Sequence, residues 1–224
     1  MAPKVSELRW VRPPQQARSR ETLDRILDAA EALFSEKGFD DTPVAEVVRR
    51  AGSSVGAFYT RFEDKEGLLQ ALYDRFQAEA MATADASLNP DRWEGASIPE
   101  ILGVVIRFLV SIYRDRTGLI RALVMRGHVN PEFHARRERL SEHVSERLKA
   151  LLLARADEIR HPDPERAAVF GLMLVMDAIE SALLFGEMRS ASLSLEDDEL
   201  AAELTVAYLA YLGVTAVGER EPQP

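Results

Sequence analysis

Along most of the chain, apolar residues return every three or four positions, the spacing of one face of an α-helix. Leu23, Ile26, Leu27, Ala30, Leu33 and Phe34 form the first stripe. It closes on Lys37 and Gly38, a cation and a glycine where a helix ends. Val44, Val47, Val48 and Ala51 form a second, shorter stripe that Gly52 ends. Thr42 is placed to cap this helix and Pro43 to take its first position, where a missing N–H costs nothing. A third helix after Gly52 and Ser53 must be short, because Glu63, Asp64, Lys65 and Glu66 read as the start of a fourth. Leu68, Leu69, Leu72, Tyr73 and Phe76 carry that helix to about Ala86, ahead of the breakers Asn89, Pro90 and Gly95. Further helices are expected near residues 98–114, 118–127 and 131–156, then, after His161 to Pro164, near 165–188 and 196–212. The pattern predicts an all-α fold of about nine helices with no internal repeat.

Two short helices around a glycine-containing turn, Thr42 to Leu69, form a helix-turn-helix, a unit that reads DNA. The last two helices differ from the others. Ala168, Leu172, Val175, Ile179 and Leu183 line one side of the first, yet Phe170, Met173, Leu174, Met176 and Leu184 make it apolar nearly all round. Such a helix requires burial on more than one face. With Leu204, Tyr208 and Tyr211 on its partner, these stripes suit a four-helix bundle shared by two copies. A buried hairpin within one copy is the other reading of the same pattern.

Charge refines the picture. The chain carries a formal −9, which is unexpected for a DNA binder. Residues 1–20, however, hold five basic side chains against one acidic, whereas from Phe76 onward sixteen basic side chains face twenty-four acidic. DNA attracts such an arm and repels such a body. With no cysteine, thiolate zinc sites, disulfides and cysteine nucleophiles are excluded. The apolar run Ala167 to Met176 stops at Asp177, too short to cross a bilayer, and no apolar leader opens the chain. A cytoplasmic protein without a membrane partner is expected. The expected division is a basic disordered arm at 1–17, a helix-turn-helix domain at 18–64, a ligand-binding and dimerisation domain at 65–218 entered by the fourth helix, and a tail at 219–224.

The segment from Leu23 to Leu72 resembles the N-terminal domain of TetR-type (tetracycline-repressor-like) transcriptional regulators. The resemblance rests on Ala30, Leu33, Phe34, Gly38 and Phe39, then Thr42, Val44, Val47, Ala51, Gly52, Ser53, Gly56, Phe58, Tyr59, Phe62, Lys65 and Leu68. Pro43 departs from it, standing where the family has a hydroxyl residue. The resemblance implies that the third helix enters the major groove and the start of the fourth touches the backbone. Tyr59 and Lys65 are then assigned to phosphate. Ser53 and Ser54 either cap the third helix or donate to phosphate. Val55, Gly56 and Ala57 lie nearest the base edges, where small apolar residues meet thymine methyls. Thr60 and Arg61 are the remaining polar candidates there, with Thr42 at the margin, and Arg18 and Arg20 follow the backbone or enter the minor groove. Phe58 and Phe62 are assigned to the core.

The same resemblance implies a homodimer on a double-stranded, palindromic operator, acting as a repressor released by a small effector bound in the C-terminal domain. Candidate pocket residues are Trp93, Arg107, Phe108, Tyr113, Met125, His128, Phe133, Met173, Met176, Asp177 and Glu180, an inventory suited to a mainly apolar ligand. Arg107, Asp177 and Glu180 stand out as charges within apolar helices, where burial demands a partner. No cofactor or metal is expected, since the histidines lack ligand spacing. Gly52 to Gly56 spells G-x-S-x-G, the nucleophile elbow of hydrolases, which would make Ser54 catalytic. That elbow needs a preceding strand, and here a helix precedes it. A helical dimer without DNA function is the remaining alternative.

Overall fold

The computed structural model describes residues 17–188 and 194–214, with side chains from residue 20 onward. The expected arm and tail, and the Arg18 side chain, lie outside the described residues. Nine α-helices are present among them: α1 (Ala17–Lys37), α2 (Val44–Arg50), α3 (Val55–Tyr59), α4 (Lys65–Ser87), α5 (Ile98–Asp115), α6 (Thr117–Val129), α7 (Pro131–Leu153), α8 (Pro164–Ile179) and α9 (Asp197–Leu212). Short 3-10 turns cover Pro90–Trp93 and Ala156–Glu158, and the described residues contain no strand.

The chain forms two compact units that cut it elsewhere than at residue 65. The first ends at Thr83 but takes in Arg116–Leu140 as well; the second comprises Ala84–Asp115 and resumes at Ser141. In the first unit a single core joins Leu23, Ile26, Leu27 and Phe34 of α1 to Val47 of α2, Phe58 of α3 and Leu68, Leu69 and Leu72 of α4. Leu119 and Leu123 of α6 and Phe133 of α7 belong to that same core. The close approach of α6 explains why. A Cβ on Gly118 would stand 1.7 Å from the Phe34 carbonyl oxygen, so α6 begins backbone against backbone on the end of α1. Arg116 then reaches Glu31 of α1 at 3.2 Å and Glu79 of α4 at 3.1 Å. Arg136 of α7, almost wholly buried, meets Asp74 of α4 at 2.9 Å.

In the second unit α8 packs on α9, and both meet α5. Gly171 leaves room for the Tyr208 ring, which a Cβ would approach to 2.0 Å, and the Tyr208 hydroxyl donates to the Ala168 carbonyl. Burial raises the Tyr208 pKa, so the hydroxyl stays protonated and keeps donating. Arg114 forks onto Asp197, tying the end of α5 to the start of α9 and holding the Asp197 carboxyl below its ordinary 3.8. Because the folded-state value is the lower one, this tie is intact above 3.8 and is lost only as the pH falls through the depressed value.

Helix α8 continues as a π-helix over Glu180–Phe185, ended by Gly186 at φ 68°. Together Pro164–Phe185 make a 22-residue helix whose most apolar 18-residue stretch has a mean hydropathy of 1.9, long and apolar enough to span a bilayer by length and composition. The helix itself falls where residues 165–188 predicted one; what changes is the expectation that its apolar part is too short to cross a bilayer. Its Ala168, Leu172, Val175 and Ile179 are buried in the second unit, as in a core helix.

Gly118→Ala is expected to cost about 2–3 kcal/mol through overpacking against immovable backbone. Gly103→Ala in α5, where a Cβ meets nothing within 4 Å, should be neutral or stabilising by up to about 1 kcal/mol. Thermal unfolding of the two variants side by side checks the contrast.

Candidate nucleic-acid interface

The turn between α2 and α3 is built by local capping. Gly52 takes φ 58°, a left-handed conformation that a side chain would strain. Ser54 is the N-cap of α3, its Oγ accepting from the Ala57 N–H at 3.1 Å. The G-x-S-x-G likeness is therefore a helix cap between two helices, with no strand ahead of it. At the other end of α3, Thr60 Oγ1 donates to the Gly56 carbonyl at 2.7 Å and Arg61 Nη1 to the Ala57 carbonyl at 2.7 Å. Phe58 and Phe62 are buried, as their spacing requires.

Three expected site residues are placed otherwise. Thr42 neither caps α2 nor faces outward. It is completely buried, and its hydroxyl donates inward to the Gly38 carbonyl at 2.7 Å. Pro43, extended at ψ 147°, is itself the N-cap, and α2 starts one residue later. Ser53 Oγ is shut away from solvent, which removes it from phosphate. Lys65 is the larger correction. Its ammonium donates to the carbonyls of Phe39 at 2.8 Å, Asp40 at 3.2 Å and Thr42 at 3.2 Å, and stands 4.3 Å from the Phe39 ring centroid. An ammonium has three protons, and the loop before α2 takes all of them. In this arrangement Lys65 braces the loop before α2. No sequence pattern marks this, because a cation at a helix start looks the same in either role.

What remains outward is a compact surface: Val55 at 47% exposed, Gly56, Thr60 and Tyr59 at 51%, with Ala57 half-buried. The Tyr59 ring rests edge-on against Phe58 at 5.2 Å, so its hydroxyl is held on a rigid arm. Arg20 is exposed, as are Arg49 and Arg50, the latter paired with Glu36 at 2.6 Å. Lys37 bonds Glu46 and holds that carboxyl below its ordinary range, linking α1 to α2.

A helix-turn-helix on a three-helix support, with small apolar residues and a tyrosine on the outward face of its second helix, defines a DNA-binding protein. The profile of the family described as "Bacterial regulatory proteins, tetR family" matches residues 26–72. HTH-type transcriptional regulator TtgR of Pseudomonas putida is 30% identical over 167 residues, covering 67% of this chain and 75% of that regulator. A-factor receptor protein of Streptomyces griseus is 38% identical over 60 residues, 27% of this chain and 22% of that receptor. A TetR-family transcriptional regulator from Mesorhizobium loti superposes with a TM-score of 0.68 at 22% identity, over 88% of this chain and 98% of its own. The chain belongs to the tetR family of bacterial regulatory proteins. It is a DNA-binding transcriptional regulator and not an enzyme.

The pocket candidates are divided between the two units, Met125, His128 and Phe133 in the first and the others in the second. Phe133 stacks on Tyr73 at 5.5 Å in the first unit's core. Phe108, Met125, His128, Met173 and Asp177 are exposed, and Met176 is half-buried. Arg107, expected to be buried, is exposed and lies 3.8 Å from Asp198. Trp93 donates to the Ser87 carbonyl at 2.7 Å. Of the three charges singled out, Glu180 alone is buried, accepting from the Tyr113 hydroxyl at 3.0 Å. An open groove of about 660 Å³ in the second unit is lined instead by residues around Pro90–Ser97 and Ala150–Glu158.

Lys65→Met removes the three donors while keeping the stem on Phe39, and should cost about 1–3 kcal/mol of stability. Tyr59→Phe should leave thermal stability unchanged and weaken DNA binding by about 3–10-fold, the value of one hydrogen bond. Melting curves and fluorescence anisotropy at fixed salt separate the two roles.

Proposed function

We propose that the protein is a homodimeric repressor that reads a palindromic operator with two α3 helices and releases it on binding a small, mainly apolar effector. The observation that carries this reading is an uncovered apolar face on the second unit. Phe170, Met173 and Leu174 recur at i, i+3 and i+4 on α8 and are all exposed, with the exposed Asp177 bordering them at i+7. The Phe170 ring contacts Tyr211 of α9 at 5.6 Å, and α9 exposes Val206 with the small Ala202 and Ala210. An apolar two-helix surface with small residues lets a second pair of helices approach closely.

The interface so proposed differs from the one the sequence suggested. Ala168, Leu172, Val175, Ile179, Leu204 and Tyr208 are buried in the chain's own second unit, while Leu183 and Tyr211 are half-buried. A helix apolar all round offers two stripes, and the more regular one is the inward face. Dimerisation uses the other. Two copies related by a dyad place their recognition helices on half-sites about one DNA turn apart.

Repression accords with the related fold of SmeT, the repressor of the Stenotrophomonas maltophilia multidrug efflux pump SmeDEF, which superposes with a TM-score of 0.62 at 22% identity over 91% of this chain. An effector releases the operator only through a higher affinity for the state that fits DNA worse. Such a protein works where the DNA is, in the cytoplasm.

Selection of bound duplexes from a random pool should enrich a pseudo-palindrome with half-sites about 10 base pairs apart. Enrichment of a lone half-site, or none, refutes the dimeric operator. Leu174→Asp, at a side chain already 49% exposed, should yield a folded monomer by sedimentation; a persisting dimer would place the interface elsewhere.

A further inference from the structure

Arg126 lies outside the helix-turn-helix, in the last turn of α6, yet it holds both ends of that motif. On one side its Nη2 stands 2.5 Å from Glu66 Oε1 and its Nε donates to Oε2 at 3.2 Å, a forked bond to the first turn of α4, which follows α3. On the other its guanidinium stands 4.9 Å from the ring centroid of Phe39, in the loop that precedes α2. Lys65 faces that same ring at 4.3 Å, so Phe39 meets a cation from α4 and another from α6. The ring is buried and set edge-on to Phe34 at 5.2 Å. Phe39 is thereby a fixed point.

We propose that Arg126 is a positioning residue for operator reading: it bridges the entry of α2 and the exit of α3, and sets the angle at which α3 meets the bases. Helices α2 and α3 have seven and five residues, too short to hold an orientation through their own hydrogen bonds. Their orientation is set where they join α1 and α4. One side chain reaches both junctions at once. It is itself anchored, because α6 begins against the α1 backbone at Gly118 and sinks Leu119 and Leu123 into the first unit's core. Base-edge contacts tolerate about 0.5 Å of misplacement, whereas phosphate contacts are long-ranged and forgiving. Loss of the bridge therefore erodes specificity before it erodes general DNA affinity.

The test is Arg126→Gln in the full chain, measured on the selected duplex and on a scrambled one across a potassium chloride series. Affinity for the selected duplex should fall about 10-fold, with little change on the scrambled duplex, an unchanged salt slope and the same helicity. Glu66→Gln, which breaks the fork from its other side, should reproduce part of the loss and add little to it when combined with Arg126→Gln. Amide exchange across residues 39–54 should rise in the single variant with no DNA present. That readout is independent of the operator, so failure of the dimeric-repressor reading is distinguishable from failure of this one. Unchanged affinity for the selected duplex overturns the proposal, as does unchanged exchange. So does an equal loss on both duplexes with the salt slope reduced by about one, which would make Arg126 a phosphate ligand instead.

Discussion

The contact on which the first unit depends is the backbone approach of α6 to α1 at Gly118. Side-chain contacts tolerate rotamer changes, but a carbonyl oxygen against a glycine Cα admits one arrangement. That arrangement fixes the phase of α6. Leu119 and Leu123 then point into the core shared by α1 to α4, Arg116 meets Glu31 and Glu79, and Arg126, two turns on, reaches Glu66 and Phe39. A helix distant in sequence becomes part of the DNA-reading head. The head's boundary is therefore set by packing, and its members come from two separate stretches of chain.

Much of the head's positive charge is engaged internally. Lys65 closes the loop before α2, Arg75 joins Asp28 and Glu31, Arg116 joins α1 to α4, and Arg136 is buried against Asp74. Exposed ion pairs contribute little to stability, but these cations are half-buried or better and bridge separate helices, where geometry rather than net energy is the gain. Arg20 and Arg49 stay on the surface, as do Tyr59, Thr60 and the apolar tip of α3. A formal charge of −9 and a DNA-binding role are compatible once cations are sorted by what they touch.

Helices were legible from periodicity because each carries a buried stripe, and the bounds of α1, α4, α5 and α9 fall within a residue or two of those expected apart from the first turn of α1. The helix-turn-helix was legible from Gly52, Ser54 and the flanking valines. Two kinds of information were not. Which side of a uniformly apolar helix faces inward depends on tertiary partners, so α8 showed its core stripe and hid its outer one. The role of a single cation is equally silent: Lys65 and Arg126 act through carbonyls and a ring 23 to 87 residues away in sequence. Thr42 shows the same limit on a smaller scale, since a hydroxyl before a helix suits a cap, but here Gly38 offers an acceptor inside.

The π-helical turn at Glu180–Phe185 has a consequence for how α8 is shaped. A π turn closes on the fifth residue instead of the fourth, so it accommodates one more residue per turn than the helix before it. Each residue of an α-helix advances the surface by about 100°. Beyond Ile179, therefore, the apolar strip of Phe170, Met173 and Leu174 loses its phase. Glu180 turns inward to the Tyr113 hydroxyl, and Leu184 becomes a core residue. The turn acts as a one-residue insertion that ends the strip without ending the helix, and so sets a length for any surface that strip can share with a second copy.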